Sequence, residues 1–348
     1  MKFLKIMVLV SILFLISACK LDPIQSKSIN VSNEPLNRAD NIIKNIYYVA
    51  QTNSKASDEN CGTEGEPWLT ISHSMKVVKS GDTVLIKKGI YREQIVIEKS
   101  GNDFNNMITL AAYPGDEVIV KGSDVVTDWV RDSGDVWKKE NWTVNSQQVF
   151  GDGEILQQIA AYLPGNIFTE DRLPRIGKCR EDMVPGSFYW DHNFKVLYIW
   201  LKDGANPNKH FIEVSVRPFF FNIDNQDFIK ISGLKMEHSS TANYVNWAAF
   251  RTSGNFNIIQ NDQILWADFV GCGGGGSNNV FYKNIFNYCG NSGMGISGSG
   301  HRLIDNETSY NNYRKFNTSW HAGGIKLVTW PRDILMSSHI AHDNTGDG

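Results

Sequence analysis

The chain has 348 residues, and its 34 Lys and Arg residues nearly balance its 37 Asp and Glu residues, for a formal net charge of −3. This balance argues against a protein that coats nucleic acid, which needs a basic surface. Hydrophobic residues make up 41% of the chain and charged residues 20%, which is enough apolar material for a sizeable core and excludes a wholly disordered chain.

Residues 1–18 have the pattern of a signal peptide for export. Two lysines precede an apolar run over residues 6–16, which is too short to span a bilayer comfortably. The run closes on LISAC at residues 15–19, which resembles the lipobox of bacterial lipoproteins, where the cysteine is acylated and becomes the new N-terminus. We therefore expect a cell-envelope protein held to a membrane by acyl chains on Cys19. Lys20, directly after it, favours delivery to the outer membrane.

Residues 19–45 are polar, contain Pro23 and Pro35 and show little periodicity, so they are predicted to form a flexible tether. The next pattern is that of a short helix over residues 67–79. Its apolar face is formed by Trp68, Ile71, Met75 and Val78. The helix is expected to end at the Ser80-Gly81 pair.

Beyond residue 81 the periodicity changes to that of strands. Short β-branched runs alternate with turns that contain Gly and Asn. These runs occupy residues 84–86, 95–97, 108–110, 118–120 and 229–236. The chain is therefore predicted to be all-β after its first helix.

One pattern recurs in the last hundred residues, with polar turns between the copies. The copies cover residues 257–264, 279–286, 302–309 and 333–340, so their starts are 22, 23 and 31 residues apart. One such coil cannot bury its inward side chains alone, and successive coils must stack. This repeat predicts a right-handed parallel β-helix, with the early helix as an N-terminal cap over its open sheet edge.

Two stretches interrupt the repeat. Residues 124–216 are rich in Trp and alternate in polarity, which predicts an inserted antiparallel β appendage. The solenoid is then divided into residues 46–123, with the cap and first coils, and residues 217–348. The last interval is about nine residues longer than the others, and the extra residues fall between Asn311 and Trp320. A turn that enlarges one coil is typically part of a cleft.

Several segments resemble β-helical carbohydrate-active proteins of the pectate-lyase-like class. GDTVLIKKGIYRE at residues 81–93, AYPG at 112–115 and VIVKGS at 118–123 are similar to the opening coils of many such proteins. A closer resemblance is to the glycoside hydrolases that include β-xylosidases. It rests on DVW at residues 135–137, VFG at 149–151, VLY at 196–198, FIEV at 211–214, GLKMEH at 233–238 and GIKL at 324–327.

This resemblance implies a retaining glycoside hydrolase with two catalytic carboxylates. In that family the carboxylates follow the GIKL segment, the first of them shortly after a His-Asp pair like His342-Asp343, which places both beyond Gly348. No catalytic residue is therefore assigned. Retaining hydrolysis needs two carboxyl groups about 5–5.5 Å apart, so we expect a truncated chain that binds sugar without cleaving it.

The resemblance also implies substrate-binding residues. Lys326 and His238 match positions of the family, and Lys326 would bind sugar hydroxyls or balance a carboxylate. Trp320 and His321 lie in the enlarged coil, where the family has His and then Glu, a departure that bears on specificity for xylosides. Glu237, beside His238, is expected to be a surface residue because neighbours on a strand face opposite ways.

Two further functions stay open at this point. A β-helical polysaccharide lyase would use Ca²⁺, and Asp343 and Asp347 resemble part of an acidic turn in one such family. Two carboxylates are an incomplete site, because Ca²⁺ takes six to eight oxygen ligands. The other alternative is a surface lipoprotein that binds glycans without catalysis. A glycoside hydrolase or a glycan-binding lipoprotein would need no cofactor. Under all three hypotheses the expected partner is a polysaccharide or oligosaccharide of plant or algal type.

Overall fold

The computed structural model describes residues 44–163, 173, 175–241, 248–318 and 322–346. The predicted signal peptide, Cys19 and residues 20–43 of the predicted tether lie outside these ranges, so export and lipidation stay predictions. Within these ranges, no helix has the length and apolar character needed to cross a membrane.

The described residues form one α-helix, two 3₁₀ turns and thirty short strands. The helix is α1 (Ile71–Val77), and the 3₁₀ turns are Arg180–Asp182 and Pro207–Lys209. The first strands are β1 (Ile46–Val49), β2 (Thr83–Ile86), β3 (Gly89–Tyr91), β4 (Ile95–Val96), β5 (Ile108–Ala112) and β6 (Val118–Lys121). The next nine, which we call the insert, are β7 (Ser123–Val125), β8 (Val130–Ser133), β9 (Val136–Lys139), β10 (Val149–Gly151), β11 (Glu154–Ile155), β12 (Gln157–Ile159), β13 (Ser187–Asp191), β14 (Val196–Trp200) and β15 (Ile212–Ser215).

The remaining strands return to the repeat. They are β16 (Phe221–Asn222), β17 (Ile229–Ser232), β18 (Lys235–Glu237), β19 (Ala248–Thr252), β20 (Ile258–Gln260), β21 (Gln263–Leu265), β22 (Val270–Gly274) and β23 (Val280–Tyr282). The last are β24 (Ile285–Asn287), β25 (Ser292–Ile296), β26 (Arg302–Ile304), β27 (Glu307–Ser309), β28 (Gly323–Leu327), β29 (Leu335–Ser337) and β30 (Ile340–His342).

Three parallel sheets run along the molecule. Sheet A has the strand order β1-β2-β5-β17-β20-β23-β26-β29, sheet B the order β3-β6-β18-β21-β24-β27-β30, and sheet C the order β4-β16-β19-β22-β25-β28. The chain visits A, B and C in turn, so one strand of each makes a coil and each coil pairs with the one before it. The fold is thus the predicted right-handed parallel β-helix.

The core consists of columns of apolar side chains, one from each coil. One column of sheet A pairs five fully buried residues from strand to strand: Leu110, Ile231, Ile259, Phe281 and Leu303. Each of these side chains is covered above and below by its neighbours in the column. Stacking of coils therefore supplies the burial that a single coil lacks.

The strand register corrects the predicted spacing of the repeat. Ile258 pairs with Val280 and Val280 with Arg302, so these two coils are equal in length, whereas Arg302 pairs with Leu335 across a longer coil. In this register the third copy begins at position 301 and the fourth at position 334. The predicted starts at positions 302 and 333 are therefore wrong by one place each, and the enlargement of the last coil is greater than the sequence pattern indicated.

Asparagine side chains hold the coils together at the bend before sheet A. Oδ1 of Asn257 accepts the N–H of Ile229 at 2.8 Å, and Oδ1 of Asn279 accepts the N–H of Asn257 at 2.8 Å. Nδ2 of Asn279 donates to the carbonyls of Gly275 at 2.8 Å and Gly254 at 2.9 Å. A carboxamide thus satisfies both backbone donors and acceptors that a buried bend leaves without strand partners.

His301 takes the next place in this amide ladder. Its Nδ1 accepts the N–H of Asn279 at 3.2 Å, and its Nε2 lies 2.8 Å from the carbonyl oxygen of Ser297. These contacts assign the ring proton to Nε2, so the imidazole offers one acceptor and one donor, as a carboxamide does. Burial lowers the pKa of His301, which favours the neutral ring that the ladder requires.

A second amide ladder occupies the bend between sheets A and B. Oδ1 of Asn306 accepts the N–H of Asn284 at 3.0 Å, and Oδ1 of Asn284 accepts the N–H of Asp262 at 2.9 Å. Oδ1 of Asp262 accepts the N–H of Leu234 at 2.7 Å. Its Oδ2 is buried and has no hydrogen-bond partner among the described residues. Burial raises the pKa of Asp262 to about 8, so this carboxyl group is largely neutral at pH 7.

The cap helix α1 is shorter than the predicted 67–79. Thr70 is its N-cap and accepts the N–H of His73, while Val78 is already extended. The Glu93 carboxylate accepts the N–H groups of Ile71 at 3.0 Å and Ser72 at 2.8 Å, and so satisfies donors that the first turn leaves unpaired. Side chains from the following coil therefore fix this helix at the start of the solenoid.

The insert forms two sheets of its own. One has the order β11-β10-β15-β7 and is antiparallel throughout. The other has the order β12-β13-β14-β9-β8 and is antiparallel except for the parallel pair β12 and β13. Their shared core includes five fully buried residues: Val149, Phe188, Leu197, Ile199 and Ile212. The insert thus has a hydrophobic cluster separate from that of the solenoid.

We predict that Asp262→Asn stabilises the protein at neutral and alkaline pH by about 1–3 kcal/mol, because the amide is uncharged and has N–H donors without the proton uptake that a neutral carboxyl group requires on folding. The pKa of Asp262 is about 8 in the folded state, against an ordinary value of 3.8. Between these values the folded state keeps a proton that the unfolded chain has lost, so wild-type stability falls as pH rises. Urea unfolding at pH 5, 7 and 9 should show this decline reduced in the variant.

Asp305→Asn, at an exposed turn, is the matched control. A pH decline of equal size in Asp262→Asn and wild type would contradict a neutral Asp262.

Candidate functional site

Long segments leave the solenoid at the turn between a sheet B strand and the next sheet C strand, which we call the B–C corner. In two coils this turn has four residues, 266–269 and 288–291. In the enlarged coil it has thirteen, 310–322, and the insert leaves between β6 and β16 at the same corner. Because the coils are stacked in register, the long turns stand on one side of the solenoid.

The insert and the enlarged coil meet in an apolar contact. The contact contains Ala161, Leu163 and Leu173 of the insert, Ala248, Phe269 and Val270 at the starts of sheet C strands, and Phe316 of the enlarged coil. All seven side chains are buried. This contact brings residues that are far apart in sequence to one place beside sheet C.

Arg314 of the enlarged coil ties three parts of the chain together. Its Nη2 donates to Oε1 of Gln147 at 2.9 Å and to Oε1 of Gln158 at 2.5 Å, both in the insert. Its Nη1 donates to the backbone carbonyl of Asp268 at 3.1 Å and lies 3.8 Å from the Asp268 carboxylate. The Arg314 side chain is 7% exposed. Its hydrogen bonds therefore fix the position of the enlarged coil against the insert.

Two cavities lie next to this contact. The first has a volume of about 460 Å³ and is lined by insert residues that include Gln147, Glu154 and Gln158, and by Tyr313, Arg314 and Lys315. The second also measures about 460 Å³, and its lining includes Tyr162, Arg175, Lys178, Tyr189 and His192. Ala161 lines both cavities. Their size suits a small organic ligand, and their walls carry amide, hydroxyl and ammonium groups that hydrogen-bond polar molecules.

Charged side chains are buried where the insert joins sheet B. The Glu213 carboxylate accepts hydrogen bonds from Arg92 at 2.8 Å, Lys121 at 2.7 Å and the Ser123 hydroxyl at 3.1 Å. Burial alone would raise the pKa of Glu213, but the hydrogen bonds from Lys121 and Arg92 outweigh it and hold the pKa below its ordinary value. This ionised group links β15 of the insert to β6 of the solenoid.

His238 belongs to the same buried cluster. It is 5% exposed, its ring is stacked on Phe150 of the insert with centroids 3.7 Å apart, and its Nδ1 lies 3.2 Å from the Ser123 hydroxyl. Burial and the nearby Lys121 ammonium group lower the pKa of His238 to about 4. His238 lines neither cavity. The expectation that Glu237 is a surface residue is wrong: it is 8% exposed and pairs with Lys235 at 2.6 Å.

An aromatic row follows the B–C corner. Trp266, Tyr288 and Tyr310 each come directly after a sheet B strand, and all three have positive φ angles between 52° and 56°. Their rings are stacked with centroids 4.6 and 4.9 Å apart. The faces between stacked rings are covered, so these rings can contact a ligand there only with their edges and the tyrosine hydroxyl groups.

Lys326 lies on the outer face of sheet C. Its neighbour Ile325 packs against the core, so by the alternation of the strand Lys326 points outward. The residues paired with it along sheet C are Gly295, Gly273 and Arg251. Two positions without side chains, both buried, thus separate the two cations.

The other predicted site residues are placed as follows. Trp320, His321 and Asp347 lie outside the described residues. Asp343 is exposed, and its carboxylate lies 2.8 Å from Nδ1 of His342, a contact that lowers the pKa of Asp343. Within the described ranges, no group of three or more His, Cys, Asp or Glu residues is arranged to hold a metal ion.

Arg314 and the glutamines that it contacts are not among the site residues predicted from the sequence. The enlarged coil was predicted to form part of a cleft. The two glutamines that Arg314 contacts, Gln147 and Gln158, precede it by more than 150 residues in the sequence. One signal was available, because the insert contains two Gln-Gln pairs, at residues 147–148 and 157–158. Two neighbouring polar residues at the end of a strand break its alternation of apolar and polar side chains. Such a pair indicates a surface that hydrogen-bonds to another part of the chain.

No family model matches the chain. A protein of Bacillus subtilis (strain 168), the uncharacterized protein YwoF, is 35% identical over 69 residues, which are 20% of this chain and 14% of that protein. The chain therefore spans a small part of this relative.

Two solved structures are similar over most of the chain. The complex of XylC with xylose has a TM-score of 0.68 and 20% identity, with 86% of this chain and 59% of that chain covered. A structure described as a glycoside hydrolase has a TM-score of 0.51 and 11% identity, with 85% of this chain and 87% of that chain covered. At these identities the likeness shows a shared β-helical fold.

We predict that His238 makes stability depend on pH below neutrality. Its pKa is about 4 in the folded protein against an ordinary value of 6.5, so between these values the unfolded chain binds a proton that the folded state excludes. Stability should fall by up to about 3 kcal/mol as pH drops through this window. Urea unfolding at pH 7, 5.5 and 4.5 measures the slope.

His238→Gln cannot titrate, so its slope should be smaller even if its stability at pH 7 is lower. His73→Gln, in the cap helix, is the matched control. Equal slopes for His238→Gln and wild type would contradict a buried neutral His238.

Proposed function

We propose that this protein is carbohydrate-active and of glycoside hydrolase type, and that it binds a poly- or oligosaccharide in the cavity between the insert and the enlarged coil and in the adjoining cavity of the insert. The observation that carries this proposal is the convergence of the long turns at the B–C corner. It creates cavities of about 460 Å³ each, walled by glutamine amides, tyrosine hydroxyls and basic side chains. A sugar offers many hydroxyls to such groups and apolar C–H faces to Tyr162 and Tyr189.

The shared fold supports a sugar as the ligand, because XylC was solved with xylose and the second similar structure is described as a glycoside hydrolase. Among the described residues that line the cavities, Glu154 is the one carboxylate. Retaining hydrolysis needs two carboxyl groups about 5–5.5 Å apart. We therefore propose that these cavities bind the glycan and that their described lining does not by itself supply the catalytic pair.

Arg314→Met is predicted to weaken oligosaccharide binding by about tenfold or more, because it removes the hydrogen bonds that hold the enlarged coil against the insert. Calorimetric titration with xylo-oligosaccharides and with pectin-derived oligosaccharides measures the affinity. Arg131→Met, at an exposed strand of the insert, is the control and should bind as wild type does.

The same titrated samples, assayed for products, separate the functional classes. Binding without new reducing ends is the expected result for this chain. Release of reducing ends that survives a calcium chelator would make the chain itself a hydrolase, and a chelator-sensitive product that absorbs ultraviolet light would make it a lyase. Absence of binding to every neutral and acidic glycan tested would overturn the proposal.

We also propose that acylation of Cys19 anchors the protein to the bacterial outer membrane, so that it binds polysaccharide fragments within the cell envelope. Wild type expressed from residue 1 should partition into the detergent phase and carry the added mass of acyl chains, whereas Cys19→Ala should not. Equal partitioning of wild type and Cys19→Ala would contradict the anchor.

A further inference from the structure

The charge of the two cavities is opposite to that of the chain. Five of the described residues that line them are Lys or Arg, and one is a carboxylate, Glu154. The cations are Lys202, Arg314 and Lys315 in the first cavity and Arg175 and Lys178 in the second. The lining thus has a surplus of four positive charges, whereas the whole chain has a net charge of −3.

Among the described residues, nearby carboxylates compensate only part of this surplus. Asp268 lies 3.8 Å from Arg314 and offsets its charge from the solenoid side. Asp182 lies beside Gly177 of the second cavity, and its carboxylate accepts the backbone N–H of Lys178 at 2.7 Å. This hydrogen bond and, to a smaller extent, the Lys178 ammonium group lower the pKa of Asp182, so the ionised carboxylate offsets part of the Lys178 charge. The side chains of Lys178, Lys202 and Lys315 form no ion pair with another described residue, and Lys315 contacts the hydroxyl of Thr345 at 3.2 Å. The three ammonium groups are therefore available to an anionic ligand.

We propose that the glycan bound here is anionic and that Lys178, Lys202 and Lys315 bind its negative groups, which are carboxylates of uronic acid units or sulfate esters. This inference rests on the proposed function, because it assigns the class of glycan to the same cavities. Like charges that line a concave surface focus their field and raise the local concentration of anions. An ammonium group attracts such an anion by charge as well as by hydrogen bonding, whereas a neutral hydroxyl carries no charge of its own.

The arrangement also fits a chain of sugars better than a single acid. The two cavities share Ala161 and have lysines in both, Lys178 in one and Lys202 and Lys315 in the other. A short oligosaccharide that crosses Ala161 would bring charged groups on successive units to both sets of lysines. All three lysines are exposed, so their ammonium groups are free to turn toward the charged groups of a bound chain.

The test is calorimetric titration of the full chain with three oligosaccharides of equal length: an oligogalacturonate, a sulfated galactan fragment and a neutral xylo-oligosaccharide. We expect an anionic chain to bind about tenfold or more tightly than the neutral one at 50 mM NaCl. The preference should shrink several-fold at 500 mM NaCl because salt screens the lysines. Whichever anionic chain binds more tightly identifies carboxylate or sulfate as the group recognised.

The triple variant Lys178→Gln, Lys202→Gln and Lys315→Gln should lose the preference for the anionic chain, because its affinity for that chain should fall much more than its affinity for the neutral one. The control is Lys55→Gln, Lys76→Gln and Lys209→Gln, which changes the net charge equally at exposed positions elsewhere. Equal affinity of wild type for neutral and anionic chains, or equal loss in both triple variants, would overturn this inference while the proposed glycan binding stands. Binding to none of the three chains would overturn the proposed function itself.

Discussion

The solenoid depends on how its bends satisfy the backbone. At each buried bend the chain leaves strand geometry, and its N–H and C=O groups need partners that no neighbouring strand provides. Side-chain carboxamides at fixed places in successive coils supply them, as Asn279 and Asn284 do. This requirement fixes the number of residues between successive asparagines. One additional residue in that part of a coil would move the side-chain amide away from the backbone groups of the preceding coil. At the B–C corner Asn311 makes the same kind of contact, and the added residues of the enlarged coil follow it.

The repeat made the fold predictable, since aligned aliphatic residues and asparagines are visible in the sequence. The register of the third coil was not, because His301 stands where the pattern leads one to expect Asn, and its equivalence follows only from its two hydrogen bonds. The cleft was predictable to the level of an enlarged turn. The hydrogen bond between Arg314 of that turn and Gln158 of the insert was not predictable, because no periodic pattern in the sequence connects these two distant segments.

Burial changes the meaning of two conspicuous residues. The sequence suggests His238 as a substrate contact and Glu237 as a surface charge, yet both are buried. His238 stacks on Phe150 of the insert, and Glu237 lies 3.4 Å from Lys121, which also pairs with Glu213 of the insert. A strand position that faces outward on a bare solenoid becomes interior when another sheet is placed over it. The insert therefore converts part of the outer face of sheet B into a polar core, and the ligand-sized cavities form at its margin.

Confining long segments to one corner separates the parts of the molecule that keep it folded from those that discriminate between ligands. The strands on both sides of residues 310–322 pair in the same register as those around a four-residue turn. Length and composition can therefore vary at this corner without disturbing the ladders. In such a solenoid, the segment at this corner can be replaced by one from a related protein. The exchanged segment would change the ligand selectivity and leave the stacked strands unchanged.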